Sequence, residues 1–230
     1  MNHFAIIVAG GTGKRMSENI PKQFLNLAGK PILMHTISRF AESTLKPSII
    51  VVLPGDSIDF WMELCKKYAF NIKHLIVEGG QERYFSVKNA LAHIPTNSIV
   101  AIHDAVRPLL SNTLILNTFK VAAKHGTAIP YIKSSDSLRH LSPQKSGVIN
   151  REEIALVQTP QTFQSEILIK AYQLPYQTIF TDDASVVESA GNTINLIEGE
   201  RQNIKITFPL DLKLAELIIA DLGSPSNHFQ

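Results

Sequence analysis

Cysteine is nearly absent from this chain: Cys65 stands alone among 230 residues. One thiol excludes an intrachain disulfide framework and a Cys-rich metal site. It falls in WMELCKKYAF, a helical pattern, where a small buried hydrophobe is expected rather than a nucleophile. Long apolar runs are missing as well. None approaches the roughly 18 residues of a membrane span. The start, MNHFAIIVAGG, has no basic n-region and no small-residue cleavage site, so neither a signal peptide nor a membrane partner is expected. Charge of one sign is also lacking. The 22 Lys and Arg against 20 Asp and Glu leave a formal net charge of +2, too small to indicate a nucleic-acid partner. A reducing, cytoplasmic setting fits these absences.

What is present is an apolar fraction of 44%, enough for a sizeable core. The length suits one α/β domain, residues 1–230. Strands and helices alternate. Residues 4–9 form a continuous apolar run ended by glycines, the pattern of a strand buried on both faces. ILMHTISRFAES has helical spacing, and SIIVVL is a second buried strand stopped by Pro54 and Gly55. Asp56 or Ser57 is placed to cap the helix DSIDFWMELCKKYA. HLIVEGG is a third strand, residues 83–94 a helix and SIVAIHD a fourth strand. Residues 112–125 form a helix closed by Gly126, and TAIPYI is a fifth strand. Further on come a helix over 165–173, a helix after Thr181, a strand around 193–197, a short strand NIKIT, a helix over 209–222 and a frayed tail over 223–230. This order predicts a Rossmann-like, mostly parallel sheet between helices. Residues 131–157 break the pattern. They lack a helical period and are too long for an ordinary loop. They read as an extended β-arm, which argues for a homodimer because an arm without its own core packs on a neighbour.

Ligands bind such sheets at the carboxyl ends of the strands. AGGTGKRM, EGGQER and HDAVRP all fall there. In the first, Gly10, Gly11 and Gly13 let backbone N–H groups approach an anion, and Lys14 and Arg15 add charge. A Walker loop needs Gly where Val8 stands and Ser or Thr where Arg15 stands; a dinucleotide fingerprint needs Gly where Met16 stands. Both fail, which removes the dehydrogenase reading. What remains is an anion loop followed by Lys22 in PKQF, against a plain strand-to-helix turn with solvated charges. Ser86, inside the next helix, reads equally as a back-bonded residue. Asp104 and Arg107 end a buried strand. They suit either a Mg²⁺ site completed by substrate phosphates or an ion pair that holds the loop. His103 reads as a packing or hydrogen-bonding residue, since no Cys or His cluster accompanies it. TDDASVVE is an acidic pair for a metal or a helix cap. Lys205, in apolar NIKIT, has to reach a partner or a cavity.

In order, AIIVAGGTGKRM, PKQF, GKPIL, GGQER, HDAVRP, QTPQTF, TDDASVVE, EG with NIKIT, and PLDL resemble the 2-C-methyl-D-erythritol 4-phosphate cytidylyltransferases of the non-mevalonate isoprenoid pathway. The likeness covers nearly the whole chain. GGTGKRM alone marks nucleotidyltransferases of the nucleoside-diphosphate-sugar type; HDAVRP, QTPQ and TDDAS in that order are far more specific. The resemblance implies attack of a polyol phosphate oxygen on the α-phosphorus of CTP, with Mg²⁺ and no protein nucleophile. It implies that Arg15 and Lys22 stabilise the transition state and pyrophosphate, and that Arg151 and Lys205 hold the polyol phosphate. Ala9, Gly10 and Gly11 would line the nucleotide, and Gly80, Gln81 and Ser86 would recognise cytosine and ribose. Asp104, near metal and nucleotide, would meet Mg²⁺ directly or through water. Arg107, Thr159 and Thr181 would face the polyol. Arg151 and Ser137 would act across a dimer interface from the arm.

The chain departs from the family pattern in two places. Ala9-Gly10-Gly11 replaces the usual Ala-Ala-Gly. In the arm, KSSDSLR places Ser137 and Arg139 where members show Thr and Lys. The hydroxyl and the charge survive, but the segment faces the substrate, so a ribitol-5-phosphate cytidylyltransferase is the alternative. A non-catalytic nucleotide-binding module on the same scaffold is the alternative of another class.

Overall fold

A strand that is apolar at every inner position has to be covered on both faces, and β1 (Asn2–Val8) is. Ala5 and Ile7 join one buried cluster, Ile6 and Val8 another on the opposite face. The computed structural model describes residues 1–10, 20–143 and 145–223. A two-residue ladder of β2 (Asn26–Leu27) and β3 (Lys30–Pro31) leads into α1 (Ile32–Glu42). Then come β4 (Ser48–Leu53), α2 (Ile58–Lys67), β5 (Leu75–Glu78), α3 (Arg83–Leu91), β6 (Ser98–Asp104), α4 (Asn112–His125) and β7 (Thr127–Lys133). The chain continues through β8 (Leu138–Leu141), β9 (Ser146–Ile149), β10 (Ala155–Val157), β11 (Gln161–Gln164), α5 (Ser165–Ala171), α6 (Asp183–Ser189), β12 (Leu196–Glu198) and α7 (Pro209–Gly223).

The main sheet has the order β10-β7-β11-β6-β1-β4-β5, with β12 beside β7. β4 and β6 flank β1 in parallel, so Val8 ends level with Val52 and Asp104. Helices α1, α2 and α4 pack on one face through Leu33, Phe40, Trp61 and Phe119. Helices α3, α5 and α6 cover the other through Tyr84, Val87, Leu168 and Val186. A third cluster, with Leu27, Val106, Ile206 and Ala215, seats α7. The expected Rossmann-like architecture is therefore present, with one antiparallel insertion. β11 runs between β6 and β7 and pairs with both. Its polar ends, Gln161 and Gln164, hide it from a reading based on apolar runs.

Several local expectations shift. Neither Asp56 nor Ser57 caps α2 by its side chain; a 3-10 turn over Gly55–Ser57 leads into it, and Ser57 Oγ donates to Asp56 Oδ1 at 3.0 Å. α4 holds as read, with Ser111 Oγ accepting from Leu114 N–H at 3.0 Å and Gly126 closing it at φ +91°. NIKIT forms no strand. Ile206 N–H donates to Val106 O at 2.9 Å, but no ladder follows; the Asn203 carbonyl accepts from Arg107, and Lys205 pairs with Asp104. α7 extends to Gly223, and the remainder of the expected tail, 224–230, lies outside the described residues. Within 131–157, β8 and β9 form a hairpin of their own, paired through Arg139 and Val148, before β10 returns along β7. Leu141 and Val148 on it are 79% and 81% exposed.

Candidate active site

The carboxyl ends of β1, β5 and β6 meet on one side of the sheet. Ala9 N–H donates to Val52 O at 2.9 Å, and Ala105 N–H to Val8 O at 3.1 Å, so the loops leaving β1 and β6 are stitched together. Gln23, buried, donates from Nε2 to Ala9 O at 2.9 Å. That bond fixes the 3-10 turn Lys22–Phe24 against the start of the Gly-rich loop. A small cavity of about 60 Å³ opens here, lined among others by Ala9, Gly10, Lys22, Asp104 and Lys205. Gly11, Gly13 and Arg15 lie outside the described residues.

Ser86 joins the β5 loop to this place. Its hydroxyl accepts Gly80 N–H at 3.1 Å and bonds back to Glu82 O at 3.1 Å. A side chain on Gly80 would strike Phe85 Cβ at 2.3 Å, so the loop needs glycine to lie this close to α3. Gly10 is adjacent, its missing Cβ 3.9 Å from Ser86 Oγ. Gln81 is exposed beside them.

Asp104 is the hub. Its Oδ2 takes Arg107 Nε at 3.2 Å and Lys205 Nζ at 3.1 Å, and Arg83 Nε stands 3.9 Å from Oδ1. Burial alone would raise this carboxyl, but Lys205, Arg83 and Arg107 more than reverse that and hold it well below the usual carboxylate range. A second cavity, of about 270 Å³, is lined by Arg83, Asp104, Arg107, Thr159, Thr181 and Lys205 among others. Of the two readings of Asp104 and Arg107, the ion pair is present, and it lines a cavity. Lys205 does what a cation in an apolar stretch must: it reaches a partner and lines both cavities.

Behind Asp104 is a closed hydrogen-bond relay. His103 Nε2 lies 3.0 Å from Arg107 O, and a carbonyl only accepts, so Nε2 carries the proton. Nδ1 then accepts from Thr159 Oγ1 at 3.0 Å, which in turn accepts Asp104 N–H at 3.1 Å. Burial pushes the imidazole down to about 4, so it is neutral at pH 7. Asn203 Nδ2 donates to Thr159 O at 2.8 Å, while the backbone carbonyl of Asn203 accepts from Arg107 Nη1 at 2.7 Å. Gln158 clamps the backbone of Glu200, donating to its carbonyl at 2.8 Å and accepting its N–H at 3.1 Å. The Glu200 carboxylate then accepts from Ser111 N–H at 3.1 Å at the start of α4.

The model of the 2-C-methyl-D-erythritol 4-phosphate cytidylyltransferase family matches residues 3–221. The chain is 47% identical to the 2-C-methyl-D-erythritol 4-phosphate cytidylyltransferase of Bacteroides fragilis, over 94% of this chain and 98% of that one. It is 49% identical to that of Azobacteroides pseudotrichonymphae, over 94% and 98% of the two chains. The solved structure of 4-diphosphocytidyl-2C-methyl-D-erythritol synthase from Anaerococcus prevotii aligns with a TM-score of 0.79 at 27% identity, covering 95% of this chain and 96% of that one. The chain belongs to this cytidylyltransferase family.

The motifs that carried the family resemblance thus sort into three groups. Ala9, Gly10, Lys22, Gly80 and Ser86 lie at the β1 and β5 ends, and Asp104, Arg107, Thr159, Thr181 and Lys205 line or back the larger cavity. Arg151 and Ser137 are brought to neither cavity. Arg151 Nη1 donates to Ser135 O at 3.1 Å, its Nε is 3.7 Å from Glu152 Oε1, and both residues are exposed on the arm. In TDDASVVE the cap is Asp182, in a capping box with Ser185. Asp183 is buried and accepts from Arg83 Nη1 at 2.7 Å and Tyr172 OH at 2.7 Å. The acidic pair is thus a cap and an ion-pair partner. Among the described residues no three His, Cys, Asp or Glu stand together to hold a metal. Cys65 is half-buried against the core, and burial pushes its thiol up to about 11, so it is no nucleophile. Arg83, Gln158 and Asn203 carry no reading of their own from the sequence, and Asp183 was read only as half of an acidic pair. The only signal was their place beside motif residues; their roles depend on contacts made across 42 to 100 positions of chain.

Proposed function

We infer that this protein transfers the cytidylyl group of CTP to 2-C-methyl-D-erythritol 4-phosphate, giving 4-diphosphocytidyl-2-C-methyl-D-erythritol and pyrophosphate. The observation that carries this reading is the pair of cavities sharing Asp104 and Lys205, one reaching the Gly-rich loop and the other bounded by Arg83 and Arg107. That arrangement suits two phosphorylated substrates meeting at one point. A polyol phosphate oxygen forms a bond to the α-phosphorus of CTP, and the bond from that phosphorus to the pyrophosphate oxygen breaks. Catalysis is positioning and charge neutralisation, so no acid–base triad is needed.

Lys22, with Arg15 from the loop, neutralises the α-phosphoryl group and the departing pyrophosphate. Ala9, Gly10, Gly11 and Gly13 line the nucleotide. Gly80, Gln81 and Ser86 read cytosine and ribose; Ser86 Oγ, with one acceptor bond used, keeps a lone pair for an amino donor. Lys205 and Arg107 face the polyol phosphate, and Thr159 and Thr181 the polyol side. Asp104 Oδ1 stands 3.9 Å from Arg83 Nε, beyond hydrogen-bond reach of it, which fits a hydrated Mg²⁺ also held by nucleotide phosphates. Bound there, Mg²⁺ would supply further neutralisation of phosphate charge. The exposed hairpin with Leu141 and Val148 suits a second copy, which would bring Arg151 and Ser137 of the arm to its neighbour's site in a homodimer. No described helix is long and apolar enough to cross a membrane, and the proposed setting is the cytoplasm.

Subunit mixing tests this reading. Lys205→Ala and Arg151→Ala should each cut turnover by roughly 100-fold, the scale of one lost transition-state cation. Mixed and re-equilibrated, the two variants should regain about one intact site in four, because half of the dimers pair an intact arm with an intact Lys205. Full activity in either variant would contradict the roles; failure to regain activity would contradict the exchange of arms.

A further inference from the structure

Arg83 is the cation of the larger cavity to which the reading above gives no task. It comes from the first turn of α3, in GGQER, and its side chain is 28% exposed. Its Nη1 donates to Asp183 Oδ1 at 2.7 Å, and its Nε stands 3.9 Å from Asp104 Oδ1. Asp183 is fully buried, is braced by Tyr172 OH at 2.7 Å, and has no other cation among the described residues. Arg83 is thus fixed from behind by a carboxylate that solvent does not reach. A guanidinium carries five N–H donors in a rigid fork. Most of these have no partner among the described residues, and the side chain lines the cavity.

Charge decides what those donors can take. Asp183 at 2.7 Å already neutralises Arg83. Arg107 and Lys205, by contrast, share the single carboxylate of Asp104, which leaves one positive charge on their side of the cavity. A dianionic phosphate belongs with the unneutralised pair. A neutral acceptor, such as a hydroxyl, suits the neutralised fork. Beside it Asp104 Oδ1 can accept the proton of the same hydroxyl. We propose that Arg83, anchored by Asp183, is a specificity-determining residue that reads the hydroxyls of the polyol chain, while Lys205 and Arg107 take its phosphate. This rests on the cytidylyltransferase reading of the site.

Arg83→Lys tests it, since Lys keeps the charge for Asp183 but loses the fork. The KM for 2-C-methyl-D-erythritol 4-phosphate should rise tenfold or more, as for loss of a hydrogen bond to a charged donor. The KM for CTP, and inhibition by inorganic phosphate competing at the phosphate subsite, should change less than about twofold. If Arg83→Lys fails to fold, Arg83→Gln with Asp183→Asn removes both charges together and leaves no unpaired buried ion; the same split is expected. Unchanged polyol KM in a folded variant overturns the proposal, and so does an equal loss of phosphate inhibition, which would make Arg83 a phosphate ligand or a general support. A wild-type enzyme inactive on the polyol phosphate would instead overturn the underlying reading.

Discussion

His103 is buried behind the candidate site and holds residues that line it. Its two ring nitrogens hold Arg107 O and Thr159 Oγ1, so the turn carrying Asp104 and Arg107 is fixed by a neutral imidazole. His35 is similar: burial pushes it down to about 4, against the pull of the Leu27 carbonyl that its Nε2 meets at 2.6 Å. An unfolded histidine titrates near 6.5, and both folded ones near 4. Between those values the unfolded chain binds the extra protons. Stability is therefore fully present above about 6.5 and is lost as pH falls toward about 4. For His103 alone the loss is on the order of 3 kcal/mol. Asp104 adds nothing in that window, because its carboxyl titrates far lower. Thermal melts at pH 7 and pH 4.5 should differ by several degrees or more; coincident melts would show that these imidazoles are not held neutral.

Most elements were legible because their signals are local. SIVAIHD has an apolar centre, IVAI, and matches β6 residue for residue, and α4 was delimited by Gly126. β11 and NIKIT were not legible, for opposite reasons. Gln161 and Thr162 look polar yet are buried, because Gln161 serves α6, donating from Nε2 to Asp182 Oδ2 at 2.8 Å and accepting Ala184 N–H at 2.9 Å. NIKIT looks like a strand, yet Asn203 and Lys205 spend their polar groups on Thr159, Arg107 and Asp104. Gly199, between β12 and that segment, tests the connection. A Cβ there would stand 2.5 Å from Gln158 Oε1 and 3.0 Å from Tyr131 O, and the latter is backbone. Gly199→Ala should cost roughly 1–3 kcal/mol by overpacking, read as a lower urea midpoint. It should also raise the KM for the polyol phosphate, since the Gln158 clamp sits next to Thr159. A native midpoint with unchanged kinetics would mean that the clamp does not position the site.

At the scale of the whole molecule, one sheet gathers residues from the two ends of the chain. Ala9 and Lys22 come from its start and Lys205 from its end, and both groups converge on Asp104 at the tip of the central strand β6. Sequence motifs located these groups because each follows a strand end, where ligands bind in such sheets. They did not show that Arg83 and Asp183 pair, because an ion pair across 100 positions leaves no local pattern. The arm is the converse case. Its lack of helical period marked it as extended, but the β8–β9 pairing within it was not foreseen, and Ser137 and Arg139 there depart from the family pattern. The most direct test of the account is therefore pyrophosphate release with CTP and Mg²⁺, run side by side on 2-C-methyl-D-erythritol 4-phosphate and ribitol 5-phosphate, with Lys22→Ala as a control that binds CTP. Turnover is expected on the first polyol, with little on the second and loss of most turnover in the control. Turnover on ribitol 5-phosphate alone, or a control as active as the wild type, would contradict it.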